Sequence, residues 1–312
     1  MKRKISELFG IAAPDHAVIE IPDAPPSGPV PTADSNYVFD ATLLKKIQVW
    51  LSPEAPRKNL MIIGHAGVGK TSFILEVAAR LLIPVWGLSC SGKTRFEHLI
   101  GAMGLADGKT VWSDGPLLAA MRHGGIFLGN EMSRMDAGEQ MRLVDVLDKR
   151  GRFTVPDTGE VIEIHPSFRF AATGNTGGFG DDCGAYPGER AGSLAFGDRF
   201  MKIEMVPMAK ELELAMLEKN ASALPANLRQ GMVDLAEKVR ASFVGNGGPL
   251  RITISPRALI DWGTLACRYR LISGIEPMKE ALIDIVLNGA PSADREVVMD
   301  LYDNWMKETA TT

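Results

Sequence analysis

The chain has 312 residues, 46% of them hydrophobic and 23% charged, with 34 Lys and Arg against 38 Asp and Glu. That describes a globular protein with room for one large or two modest domains, and the net charge of −4 argues against a dedicated nucleic-acid binder, which carries a basic surplus. No apolar run is long enough to span a membrane, and no apolar signal core follows the basic Met1–Lys4. Cys90, Cys183 and Cys267 lie far apart without C-x-x-C spacing, and His16, His65, His98, His123 and His165 lack metal-ligand spacing. A cytoplasmic protein with reduced thiols is the expectation.

Residues 1–36 read as an N-terminal element and a proline-rich arm. Ile5–Ile11 is a short amphipathic stretch, and Pro14 to Pro31 holds six prolines, which excludes a regular helix or a central strand. The arm is either an extended linker or a strap on a neighbouring subunit. Tyr37–Leu51 is expected to be a helix. From Leu60 to about Val206 short apolar runs alternate with helical segments, the pattern of a parallel sheet covered on both faces. Beyond Ala209 only helices are expected, over 209–219, 226–244, 256–272, 278–287 and 293–307. The domains expected are therefore the N-terminal element (1–36), an α/β nucleotide-binding domain (37–207) and an all-helical lid (208–312).

Leu60–Ile63 reads as a buried strand, and Gly64-His65-Ala66-Gly67-Val68-Gly69-Lys70-Thr71 after it fits the phosphate-loop pattern G-x-x-x-x-G-K-[ST]. The next helix opens at Ser72 and carries Phe73, Ile74, Val77, Ala78 and Leu81 at helical spacing. Strand, glycine loop and helix aim backbone N–H groups and a helix N-terminus at a polyphosphate. Lys70 is expected on the β/γ-phosphates and Thr71 on Mg²⁺, so that ATP and Mg²⁺ are the expected cofactors. His65 occupies a variable loop position and reads as a bystander, with nucleotide sensing as the alternative.

Two hairpins interrupt the α/β pattern: Gly101–Ser113, turning at Asp107-Gly108, and Arg152–Ile164, turning through Pro156–Gly159. Either is open to a reading as surface decoration. Between them the apolar strand Ile126–Gly129 ends in Asn130-Glu131. The Glu131 carboxylate can polarise an attacking water, or it simply caps the next segment. Asn130 stands where Asp is usual: it can hydrogen-bond a metal-bound water but brings no charge. Asp136 with Glu139 reads as a capping box for a helix running to Arg150 and ended by Gly151. The strand Phe168–Thr173 ends at Gly174-Asn175-Thr176, where Asn175 orients the lytic water or is only a turn residue. Arg199 is a candidate arginine finger for a neighbouring subunit's ATP. Arg257 lies in the first turn of a helix started by Ser255-Pro256, from which a lid could swing it onto the nucleotide. For either arginine alone, a surface salt bridge is the alternative.

These motifs occur in the order of the AAA+ P-loop ATPases, and the chain resembles their MoxR-type branch at Gly115–Ala120, Asn130–Arg134 and His165–Arg169, with the two hairpins in the place of that branch's helix-2 and pre-sensor-1 inserts. Ile5–Ile11, Tyr37–Asp40 and the run from Gly174 to Phe200 are similar to the ATPase subunits of cobaltochelatase (CobS type). The resemblance covers about Ile5 to Trp262; the hairpin at 101–113 and Asn130 depart from the cobaltochelatase pattern. It implies Lys70 and Thr71 on phosphate and Mg²⁺, Asn130 and Glu131 as the second motif, Asn175 as sensor 1, Arg199 as finger and Arg257 as sensor 2. It also implies a homo-oligomeric ring, usually of six, that hydrolyses ATP and works with a von Willebrand A-type partner to remodel a larger target, a metal chelatase among the candidates. Three other readings stay open: a small-molecule kinase on the same loop, an ATP-binding scaffold weakened by Asn130, and a DNA-dependent ring motor.

Overall fold

The computed structural model describes residues 1–24, 27–56, 58–148, 151–178, 180, 186, 188–189 and 191–311. Its short apolar runs pair as a five-stranded parallel sheet in the order Met201–Glu204, Asn59–Ile63, Arg169–Gly174, Ile126–Asn130, Val85–Ser89. Alternate residues of a strand point to opposite faces, and both faces are covered. Met61, Phe127 and Phe170 pack with Leu117, Leu118, Phe196 and Phe200 on one side. Leu60, Ile62, Leu128 and Ala171 pack on the other with Phe73, Ile74 and Val77 of the helix Lys70–Leu81 and with Trp50. This is the α/β sheet expected, with a helical region following it.

The N-terminal segment is part of this body. Lys2–Lys4 pairs antiparallel with Val18–Glu20, and Phe9 and Ile21 enter the same cluster as the loop helix. The described part of the proline-rich arm lies against its own chain. The carbonyl of Pro29 accepts from Val85 N (2.9 Å) on the outermost strand. Asp34 N donates to Glu76 (2.9 Å), and the Asp34 carbonyl accepts from Arg80 (2.8 Å). An edge strand with open N–H groups is thereby covered. Pro25 and Pro26 fall outside the described residues, as does Cys183.

Several boundaries differ from the sequence expectations for local reasons. The helix expected over 37–51 spans Ala41–Leu51, because Asp40 accepts from Thr42 N and Leu43 N and so fixes its start. Asp136 does cap the next candidate, but Glu139 accepts from Phe96 N instead of closing a capping box. The single helix expected to Arg150 is two short ones, Ala137–Met141 and Val144–Leu147. The break turns Leu143, Val146 and Leu147 into the core; Arg150 itself is outside the described residues. Both hairpins form, Gly101–Ala106 with Lys109–Asp114 and Arg152–Thr154 with Val161–Glu163.

The C-terminal region is helical: Lys210–Asn220, Ala226–Ala241, Pro256–Tyr269, Pro277–Leu282 and Ser292–Thr311, with a π-helical turn at Ile283–Leu287. Trp262, Tyr302 and Leu217 centre its own core. A buried Arg240–Glu213 pair (2.8 Å) joins its first two helices, and Arg240 also donates to the Ile254 carbonyl (2.9 Å), holding the entry to the helix Pro256–Tyr269. Among the described residues no helix is long and apolar enough to cross a membrane.

Candidate nucleotide site

Ligands of open α/β sheets sit beyond the carboxyl ends of the strands, and there the expected residues meet. The loop leaves the strand Asn59–Ile63 at Gly64 and enters its helix at Lys70. Gly67 has φ +80°, and a Cβ there would stand 2.5 Å from Ser255, the residue that caps the helix carrying Arg257. Only glycine lets that helical-region residue sit directly on the loop. A side chain at Gly64 (φ +150°) would collide with the Met205 carbonyl. Val68 is buried; Ala66 and Ser72 are exposed.

Lys70 is folded back onto the loop. Its Nζ donates to the carbonyls of Gly64 (2.6 Å) and His65 (2.9 Å) and to Asn175 Oδ1 (3.0 Å). Burial lowers its pKa to about 8; Glu189 and Glu131 oppose that shift, and Arg257 adds to it. Arg257 lies in the first turn of the helix Pro256–Tyr269, whose cap Ser255 sits against the loop at Gly67. An incoming phosphate would replace the carbonyl partners with charged ones, which favour the ammonium.

Asn130 occupies the centre of the next layer. Its Oδ1 accepts from Thr71 Oγ1 (2.5 Å) and from Thr173 Oγ1 (2.8 Å). Thr173 in turn accepts from Glu131 N at 3.0 Å. An asparagine oxygen therefore makes the contacts open to a carboxylate at this position, without the charge. Glu131 sits in the left-handed region at φ +54°, a conformation that costs a non-glycine residue about 1–3 kcal/mol and collects at functional sites. Its carboxylate pairs with Arg134 at 3.0 Å. The donor set at the loop's end, Thr71 Oγ1, Asn130 Oδ1 and Thr173 Oγ1, is neutral oxygen. That suits Mg²⁺, a hard cation that keeps several waters and takes its charge partners from phosphates. Among the described residues no group of three or more His, Cys, Asp or Glu could hold a metal alone.

His65 has ring partners of its own: Nδ1 lies 2.5 Å from Tyr186 Oη, and the imidazole packs edge-on against Phe243 at 5.8 Å. It joins the loop to the helical region and to the segment after Asn175. Arg199 is elsewhere. Met201 pairs with Leu60, so Arg199 stands at the amino end of the sheet, six residues of strand or about 20 Å from the level of Gly64. There it donates to Asp148 (2.8 Å) and lines a cleft of about 630 Å³ with Asn59, Asp148, His165 and Asp198.

Thr173, Arg134 and Glu189 carry no role in the sequence reading. Thr173 was visible as the end of a strand, but only the parallel register that sets Ala172 beside Gly129 brings it to Asn130. Glu189 belongs to no periodic pattern of the sequence that would mark it.

Two family models match the chain: an AAA domain of the dynein-related subfamily over residues 59–200, and the CbbQ/NirQ/NorQ C-terminal region over 213–301. Protein NorQ of Paracoccus denitrificans is 30% identical over 239 residues, 77% of this chain and 80% of that protein. The aerobic cobaltochelatase subunit CobS of a Sinorhizobium species is 29% identical, covering 81% of this chain and 80% of its own. The denitrification regulatory protein NirQ of Pseudomonas aeruginosa is 28% identical over 73% of this chain and 88% of its own.

Proposed function

The chain belongs to the MoxR-type AAA+ ATPases of the CbbQ, NorQ and CobS family, and on that premise we propose that it hydrolyses Mg·ATP as a ring whose sites are shared between neighbouring subunits. One observation carries this reading: Lys70, Thr71, Asn130, Glu131 and Asn175 share one end of the sheet, while Arg199 lies at the other. An arginine that cannot reach its own loop can reach a neighbour's when subunits pack head to tail around a ring. The kinase alternative has no use for that separation.

The geometry supports a role for each residue. Lys70 leaves the Gly64 and His65 carbonyls for the β/γ-phosphates. Thr71 and Asn130 would hold Mg²⁺, which when bound would neutralise phosphate charge. Glu131, released from Arg134, takes the proton of the attacking water. Asn175 orients that water, Arg257 meets the phosphates from the helical region, and Arg199 stabilises charge on the neighbour's transferring phosphate.

The work of such a ring falls on a partner. The hairpin Gly101–Asp114 exposes Met103, Leu105 and Val111, with Leu105 80% exposed, and offers an apolar contact to a target. The cobaltochelatase resemblance favours a von Willebrand A-type partner and a metal-chelatase-like assembly. Phosphate release and light-scattering mass with ATP test the core of the reading. Glu131→Gln should bind ATP and assemble while hydrolysis falls by roughly 10²-fold or more; wild-type turnover in that variant refutes it.

A further inference from the structure

Glu189 is a carboxylate with no solvent-exposed side-chain surface, and none of the roles above uses it. Its Oε1 accepts from Asn175 Nδ2 at 3.2 Å and its Oε2 from Thr176 Oγ1 at 3.3 Å; Arg134 Nε lies 3.9 Å from Oε1. The other end of the same amide, Asn175 Oδ1, accepts from Lys70. A side-chain amide has two ends of similar shape and opposite polarity, and nothing intrinsic to it decides which faces a phosphate. A carboxylate can only accept. Glu189 therefore admits one orientation, with Nδ2 toward itself and Oδ1 toward Lys70 and the phosphate end of the loop. Arg134 also holds the Glu131 carboxylate, so Glu189 stands where the sensor amide and the water-activating acid meet. A carboxylate withdrawn from water is costly unless surrounded by donors, and here two hydrogen-bond donors and a guanidinium surround it.

We propose that Glu189 is a positioning residue of the hydrolytic site, which fixes the Asn175 amide with its oxygen toward the reacting phosphate, where it accepts a hydrogen bond from the lytic water. This rests on the ATPase reading above. Glu189 does not touch nucleotide; it acts through Asn175, and its effect falls on turnover rather than on binding.

The test compares wild type, Glu189→Gln, Asn175→Ala and the double variant for ATP turnover and ADP affinity. Gln keeps the volume but presents both a donor and an acceptor, so the imposed orientation is lost. The expected result is a kcat about 10-fold lower, with KM within about 3-fold and ADP affinity within about 2-fold of wild type. In the Asn175→Ala background the same substitution should change kcat by less than about 2-fold, because the group it positions is gone. A loss of equal size in both backgrounds, or none in the wild-type background, overturns the proposal. Glu131→Gln in the same assay separates the two levels. If it abolishes hydrolysis while Glu189→Gln leaves kcat at the wild-type level, only the positioning role falls; if it turns over like wild type, the ATPase site falls and the positioning role with it. Should Glu189→Gln fail to melt cooperatively, Thr176→Ala loosens the same carboxylate from its other side. It should lower kcat about 3-fold at unchanged ADP affinity, and an unchanged kcat overturns the proposal.

Discussion

Restoring the missing charge with Asn130→Asp probes the metal end of the site. Asn130 Oδ1 already accepts from Thr71 and Thr173, so a carboxylate inherits both bonds in the same place. The contact it gives up, from Nδ2 to Ser89 at 3.5 Å, is at the limit of a hydrogen bond and weak. The gain is electrostatic. One negative charge about 4–5 Å from a divalent cation across a water-filled cleft contributes about 2 kcal/mol. Repulsion from the adjacent Glu131 and from the phosphates removes part of that. The net expectation is a roughly 10-fold lower Mg²⁺ concentration for half-maximal ATPase, about 1.4 kcal/mol. Maximal turnover should be equal or higher. The assay is phosphate release across a Mg²⁺ titration at fixed ATP. An unchanged or higher Mg²⁺ requirement would mean that Asn130 does not face the ion's water shell.

Other perturbations follow from the same geometry. Lys70→Ala removes charge-assisted phosphate contacts and should weaken ATP binding by roughly 10²-fold at an unchanged fold; equal affinity by calorimetry would move the site elsewhere. Gly67→Ala puts a methyl group 2.5 Å from Ser255 at φ +80°. It should lower the melting temperature and weaken ATP binding, whereas Gly108→Ala, at a turn with open space around it, should leave nucleotide affinity unchanged. Deleting Ala106–Lys109 should abolish partner-dependent stimulation and leave basal hydrolysis nearly intact; stimulation that survives would place the target contact on another surface.

What the sequence revealed was what local pattern encodes. Strand, glycine loop and helix are contiguous, so Gly64–Thr71 carried its own context, and Asp107-Gly108 specified its hairpin by turn chemistry alone. The end of a parallel strand marked Asn130, Glu131 and Asn175. The remainder depended on contacts that spacing does not record. Glu139 faces Phe96 across the fold instead of its own helix start, so the capping-box pattern was half right. The helix to Arg150 broke because tertiary burial of Leu143 and Leu147 outweighed continuous propensity. The proline arm gave no sign of its partner, since the backbone bond from Val85 N to the Pro29 carbonyl has no side-chain signature. Glu189 was illegible because a buried carboxylate looks in sequence like any exposed one until its donors are known.

Mixing two inactive variants tests the shared site most directly. Arg199→Ala should bind ATP yet hydrolyse poorly, and Lys70→Ala should not bind it productively. In randomly mixed 1:1 rings, about a quarter of the interfaces pair an intact Lys70 site with an intact Arg199 from the neighbour. Turnover should rise to about that fraction of wild type if the sites act independently. No recovery in rings shown by mass to contain both variants would contradict the account, because Arg199 would then act within its own subunit or serve only its bond to Asp148.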